Sequence, residues 1–424
     1  MVVFLIVMKE KIKLIRRIAM LLLILSMLVS SGCGPGVIMP IADDSQATDE
    51  AVIGVVDNNN HFALELYSEL KDEGDNVFFS PYSIAAALAM AYEGADSQTA
   101  EEMADVLNLP EDSMTRRSSY ARIHNLINKK DKEYQLYSAN AFWAHEGYSF
   151  LPDYTDTIER YYAAEANNLD FRNAEQSRQT INKWVEEHTN GKIEDLIPAG
   201  ALNALTRLVL TNAVYFKGDW VLKFDKKKTR DNPFRITPDN EVTVKMMGLT
   251  GNKAKFNYAF IPEEELQIIE LPYEGEDLSM IILLPKEGGM DELEGKLSVD
   301  NLNAWKSMMH ETKIDVYMPK FEFETKYFLP QALSAMGTPT AFQWPGADFS
   351  KMDGTQNLFI SNVIHQAYIK VDEEGTEAAA ATAIIMELGD MIPTEFRADH
   401  PFIFMIQEKT AGGILFMGKV VDPR

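Results

Sequence analysis

At 424 residues, with 46% hydrophobic and 25% charged side chains, the chain is globular and too rich in apolar residues to be disordered. Its 64 acidic against 40 basic residues give a formal net charge of −24, which excludes a general affinity for nucleic acid because the phosphates would repel it. The single cysteine excludes an internal disulfide, so packing alone must stabilise the fold.

The first 33 residues read as a signal peptide. Lys9, Lys11, Lys13, Arg16 and Arg17 form a basic cluster, and Ile18–Val29 is apolar except for Ser26. That apolar run is too short to span a bilayer as a mature helix. Small Ser30, Ser31 and Gly32 lead to Cys33, a position that resembles the lipobox of prokaryotic lipoproteins, although Ser30 stands where a large aliphatic residue is usual. Two outcomes follow. Either Cys33 is lipidated and anchors the protein to a membrane, or ordinary cleavage removes it. In both the protein is exported and acts extracellularly or at the cell surface. Met8 is an alternative start. Residues 34–56 show no clear period and are expected to be a flexible tether, leaving 57–424 as a single domain, since no Pro/Gly/Ser linker divides it.

Beyond the tether, Phe62–Leu70, Ile84–Tyr92, Thr99–Leu107, Arg116–Asn128, Asp153–Tyr162 and Ser177–His188 carry helical spacing. Arg116, Arg117, Arg122, Lys129, Lys130 and Lys132 are expected to form a solvated helix face. Leu136–Trp143 alternates like a strand, and Leu208–Phe216 is a near-continuous apolar run suited to a strand buried on both faces. Strand patterns then dominate, at Glu241–Met247, Gln267–Leu271, Leu278–Leu284, Ile314–Pro319, Leu358–Val371, Phe402–Gln407 and Ile414–Val421. Gly412-Gly413 turns the last pair into a hairpin. Early helices and late strands predict an α+β fold.

One stretch is ambiguous. Lys370–Pro393 contains the helix formers Ala378, Ala379, Ala380 and Ala381, and propensity alone predicts a helix. Read with period two, its uncharged residues Thr376, Ala378, Ala380, Thr382, Ile384, Met386 and Leu388 share one face, while Glu377 and Glu387 fall on the other. The segment therefore suits a helix in one setting and a half-buried strand in another.

No catalytic constellation is present. The seven histidines form no H-E-x-x-H pair, no Cys/His set suits zinc, and neither a G-x-S-x-G elbow nor a phosphate-binding glycine loop occurs. The chain is expected not to be an enzyme and to need neither metal nor cofactor.

Several segments, in order, resemble the serpin family of serine protease inhibitors. They are Asn76–Met103 with Phe79-Ser80-Pro81, Thr189–Ile197, Leu210–Trp220, Ala347–Met352, Ile360–Thr382 and His400–Pro423. The resemblance implies a serpin fold, with three β-sheets, eight or nine helices and an exposed reactive-centre loop near Glu373–Pro393. It implies a monomer whose partner is a target protease. A serine or cysteine protease cuts the loop and forms a covalent acyl-enzyme, and the loop then inserts into the main sheet as a new strand. The hinge would be Glu373, Glu374, Gly375, Thr376, Glu377, Ala378, Ala379, Ala380, Ala381 and Thr382. Gly375 is expected to serve as a pivot for unusual backbone angles, and the small residues after it to slip between strands. Inserting Thr376–Leu388 would carry an attached protease roughly 40 Å at ~3.3 Å per residue. Ser80, Ser83, Asn212 and His365 resemble the hydrogen-bonded cluster that controls sheet opening, and Trp220, grouped with them as a sheet-opening residue, resembles the tryptophan at the point where loop insertion begins. The scissile bond is expected at Asp390–Met391, with Leu388–Gly389 as the alternative. A serpin-fold binding or structural protein that traps no protease is the alternative function.

Overall fold

The computed structural model describes residues 40–72, 76–129, 132–376 and 394–424. In chain order its helices are α1 (Asp49–Leu70), α2 (Pro81–Tyr92), α3 (Ser97–Leu107), α4 (Ser113–Ile127), α5 (Pro152–Tyr162), α6 (Ala174–His188), α7 (Met290–Lys296), α8 (Val299–Ser307), α9 (Pro330–Met336) and α10 (Ser350–Asp353). The strands are β1 (Val77–Phe79), β2 (Tyr134–His145), β3 (Glu165–Leu169), β4 (Leu208–Asp219), β5 (Arg230–Thr237), β6 (Asn240–Leu249), β7 (Lys255–Ile261) and β8 (Leu266–Pro272). They continue with β9 (Leu278–Leu284), β10 (His310–Pro319), β11 (Phe321–Phe328), β12 (Ile360–Val371), β13 (Gly375–Thr376), β14 (Thr394–Arg397), β15 (Phe402–Glu408) and β16 (Ile414–Val420). Ten α-helices thus occur among the described residues where eight or nine were expected. Three of them, α7, α9 and α10, are only seven, seven and four residues long.

The expected tether from 34 to 56 is not a tether beyond residue 48. Helix α1 starts at Asp49, where the Thr48 hydroxyl accepts from the Ala51 N–H and Asp49 and Glu50 face the positive end of the helix dipole. Val52, Val55, Val56, Asn59 and Phe62 then form its buried stripe. The residues before it are docked as well. Ala42 and Asn125 of α4 exchange two hydrogen bonds of 3.0 and 2.9 Å, and Asp43 pairs with Arg160 of α5.

Strand β4 lies at the centre because alternation gives it two apolar faces. Leu208, Leu210, Val214 and Phe216 point into the two main cores, while Val209 and Ala213 point into a third core beneath α6. β4 pairs antiparallel with β2 and parallel with β12; β3 and β11 form the edges of this six-stranded sheet. The other strands form one ten-stranded path built from two ladders that share β10. The first half of β10, His310–Lys313, pairs with β7, and the second half pairs with β6 and β14. Counting the ladders separately gives the three sheets of the expected α+β serpin fold.

Between the sheets, Phe78 stacks on Phe404 and Phe416 at centroid distances of 5.8 and 5.4 Å and meets Phe323 edge-on. Each such buried ring contributes about 1.5–3 kcal/mol through burial alone.

Candidate functional site

The parallel pairing of β4 and β12 runs from Leu208/Ile360 to Tyr215/Tyr368. Beyond that rung β12 parts from β4 and runs on against β11 to Val371; the chain then reverses at Glu373-Glu374, and β13 lies antiparallel against the end of β4, with Gly375 opposite Asp219 and Thr376 opposite Gly218. The reversal is closed by the Asp372 N–H donating to the Gly375 carbonyl at 2.8 Å. Three donors clamp it to the segment after β4. The Trp220 N–H donates to the Glu374 carbonyl at 2.7 Å, its indole Nε1–H to the Asp372 carbonyl at 3.1 Å, and the Phe224 N–H to the Glu373 carbonyl at 2.7 Å.

Side chains reinforce the clamp. The Glu373 carboxylate is buried and accepts from Thr229 Oγ1 and Lys320 Nζ, both at 2.7 Å. Burial pushes its pKa up, but Lys320 and Thr229 outweigh this and hold it below the ordinary carboxylate value. Glu374, also buried, pairs with Lys226. Trp220 is itself fixed by stacking on Tyr273, with centroids 4.5 Å apart.

Gly375 is required here for space. Its φ of +158° is nearly extended, but a Cβ would sit 2.1 Å from the Gly218 carbonyl oxygen and 2.5 Å from Asp219 Cα. Gly375 is therefore also a site of backbone-on-backbone contact, which no side chain tolerates.

Further down the same seam lies a buried polar cluster. His365 of β12 stands directly across from Asn212 of β4, which stands across from Asn140 of β2. The His365 Nε2 accepts from the Ser80 N–H at 3.1 Å, so the ring proton is on Nδ1 and donates to Asn212 Oδ1. Asn212 Nδ2 donates to Ser83 Oγ and to Asn140 Oδ1, both at 2.6 Å. Ser80 caps α2 by accepting from the Ser83 N–H, and its hydroxyl donates to the Leu415 carbonyl. Burial pushes the His365 pKa down to about 3, so the imidazole is neutral. The cluster ties the two strands of the seam to the start of one helix.

The opposite face of the seam carries a row of tyrosines. Tyr137, Tyr215 and Tyr368 occupy one rung of β2, β4 and β12 and stack at 6.0 and 6.2 Å, with Lys192 Nζ 5.0 Å from the Tyr215 ring.

The seam between the parallel strands β4 and β12 thus has, at one end, a neighbouring segment paired antiparallel to β4. The family model described as Serpin (serine protease inhibitor) matches residues 57–423. The chain is a serpin. An uncharacterized serpin-like protein of Thermococcus kodakarensis is 44% identical over 378 residues, 87% of this chain and 86% of that one. The leukocyte elastase inhibitor of Xenopus laevis is 39% identical over 372 residues, 86% of this chain and 98% of that one. Human thyroxine-binding globulin complexed with thyroxine superposes with a TM-score of 0.80 at 30% identity, covering 88% of this chain and 99% of that one.

The serpin's expected site residues fall into separate places. Ser80, Ser83, Asn212 and His365 meet in one cluster. Trp220 is not part of it, because it lies eight residues further along β4 and its connection, roughly 26 Å away at ~3.3 Å per residue, where it holds Asp372 and Glu374. Glu373, Glu374, Gly375 and Thr376 are at the mouth. Glu377, Ala378, Ala379, Ala380, Ala381, Thr382, Leu388, Gly389, Asp390, Met391 and Cys33 lie outside the described residues, as does the signal segment.

Sequence reasoning missed Asn140, Gly218, Lys226, Thr229 and Lys320. Only Asn140 carried a signal, as a polar residue within an otherwise well-patterned strand.

The cationic helix face also differs from expectation. Arg116 and Arg117 both bind the buried Glu93 carboxylate, which Tyr162 also reaches at 3.0 Å. Burial raises the Glu93 pKa, but the two guanidiniums hold it below its ordinary value. Arg122 pairs with Asp44 and Lys129 with Asp277, while Lys132 donates to the Ile127 carbonyl. Lys130 lies outside the described residues. Among the described residues no group of three or more His, Cys, Asp or Glu could hold a metal ion.

Proposed function

We propose that this serpin is a covalent, single-use inhibitor of serine or cysteine proteases. A protease attacks the loop, forms an acyl-enzyme, and is carried along as the loop inserts between β4 and β12. The supporting observation is the register of β13. Continued from Gly375/Asp219 and Thr376/Gly218, the antiparallel register would set Ala378 and Ala380 opposite Phe216 and Val214 on the inward face. Thr382 would fall opposite Asn212, and Ile384 and Met386 opposite Leu210 and Leu208. The small residues would meet Phe216 and Val214, the hydroxyl would meet the polar cluster, and the apolar residues would meet the apolar core. On the other face Ala379 would fall between Tyr215 and Tyr368, and Glu377 beside Lys217. Each ladder hydrogen bond would add a net ~0.5–1.5 kcal/mol, and each large apolar side chain buried would add about 1.5–3 kcal/mol.

The protein acts as an exported monomer, extracellular or at the cell surface, with Cys33 as the point of lipid attachment. Mixing it with a panel of serine and cysteine proteases tests the inhibitor reading. Adducts that survive denaturing electrophoresis are expected. A panel that cuts the loop throughout and yields no adduct would instead favour a serpin-fold binding protein, the class to which thyroxine-binding globulin points.

A further inference from the structure

In a chain of net charge −24, residues 217–230 are basic: Lys217, Lys223, Lys226, Lys227, Lys228 and Arg230 stand against Asp219 and Asp225. The segment bridges the two points where the reactive loop is anchored. At one end the Phe224 N–H and the Thr229 hydroxyl bind Glu373, just before the loop departs. At the other end Lys228 Nζ reaches Thr250 Oγ1, and the turn that follows, Gly251–Ala254, lies against Lys313 and Ile314. Ile314 is the residue beside Thr394, where the chain returns.

Some of these cations are committed to structure, Lys226 to Glu374 and Lys223 to Asp219. Lys227, Lys228, Arg230 and Lys253 pair with no carboxylate among the described residues. The nearby acids are already engaged: Asp225 accepts from the Lys227 N–H, Asp231 pairs with Lys245, and Asp315 accepts from the Gly251 N–H.

We propose that Lys227, Lys228, Arg230 and Lys253 form a docking surface for an acidic patch on the target protease. A protease drawn to a loop anchored at Thr376 and Thr394 is brought toward the surface between those anchors. There the local positive potential offsets the repulsion that an acidic inhibitor would otherwise exert on an acidic enzyme. This deepens the inhibitor reading and rests on it only in naming the partner.

The test compares wild type with Lys227→Glu/Lys228→Glu/Arg230→Glu against two subtilisin-type proteases of opposite surface charge. The measured quantity is total loop consumption, adduct plus cleaved product, at low and high salt. With the acidic protease the variant is expected to react about tenfold more slowly at low salt and to lose the salt dependence, as steered association requires. The basic protease should react with the variant no more slowly. An unchanged thermal midpoint, and a smaller effect in the same direction from Lys→Gln substitutions, would show that folding is not the cause. Equal rates for wild type and variant overturn the proposal even where adducts form. Slower consumption without adduct from either form supports docking while removing the inhibitor reading. Loss of affinity for a sulfated polysaccharide with unchanged protease rates overturns the proposal and assigns the patch to a polyanion.

Discussion

Insertion through this mouth would bury position 376 early, and a charge there would have to be desolvated. Thr376 pairs with Gly218, whose inward side is filled by the rings of Phe216 and Tyr273. Thr376→Arg should therefore be cleaved at the same bond but form at least ~10-fold less adduct, because desolvating an unpaired charge costs several kcal/mol; densitometry of a denaturing gel measures it, and undiminished adduct would exclude insertion through this mouth. His365 makes a pH prediction. Its folded pKa of about 3 lies below the ordinary ~6.5, so the unfolded chain takes up the proton first. Its contribution is full above pH ~6.5 and is lost as pH falls toward 3, by roughly 2–3 kcal/mol between pH 6.5 and 4.5. His124, lowered by burial, acts in the same direction. Urea midpoints over that window should fall for wild type and fall less for His365→Gln. At the loop itself Gly389 offers a protease no side chain, whereas Asp390 offers a carboxylate to a basic pocket. Mass spectrometry of the released C-terminal fragment should find it beginning at Met391; a fragment beginning at Gly389 would move the bond to Leu388–Gly389, and one from upstream of Ile384 would contradict both.

Among elements, the seam between β4 and β12 concentrates the consequences. An inserted strand would part His365 from Asn212, and in the continued register the Thr382 hydroxyl would come opposite Asn212, where it could bond the groups released. Thr382→Val should leave them unsatisfied in the cleaved form, at about 1–3 kcal/mol. The check is a smaller rise in thermal midpoint on nicking, with the intact protein unchanged; an equal rise would remove Thr382 from the cluster. The strands of this seam were legible because their patterns are strong: β4 is apolar on both faces, and α2 follows a serine cap. Strand β11 is missing from the expected strands, although Phe321, Phe323 and Tyr327 alternate with Glu322, Glu324 and Lys326. β14 is four residues long and takes its direction from β10, a partner some eighty positions away. Helix α1 starts well before the expected Phe62, because the asparagines at 58–60 and the glycine at 54 mask a stripe that only its packing against α4 reveals.

For the whole molecule, the inhibitor reading requires that the intact form hold back a strand that its own sheet could accept. A single nick in the loop should raise the thermal midpoint by roughly 10 °C or more, since ladder bonds and apolar burial are added to an otherwise unchanged body. Calorimetry before and after limited proteolysis measures this, and an unmoved midpoint would favour the binding-protein alternative. Residue order alone determined the α+β class, the family, the exclusion of disulfides and the two-faced pattern of 376–388, because each depends on composition or local period. Tertiary structure decided which polar residues meet. Ser80, Asn140, Asn212 and His365 lie far apart in sequence, and their contact depends on the register of three strands over one helix end. It also gave Gly375 its reason, since close approach to Gly218 is a property of two backbones meeting and leaves no mark on either segment alone.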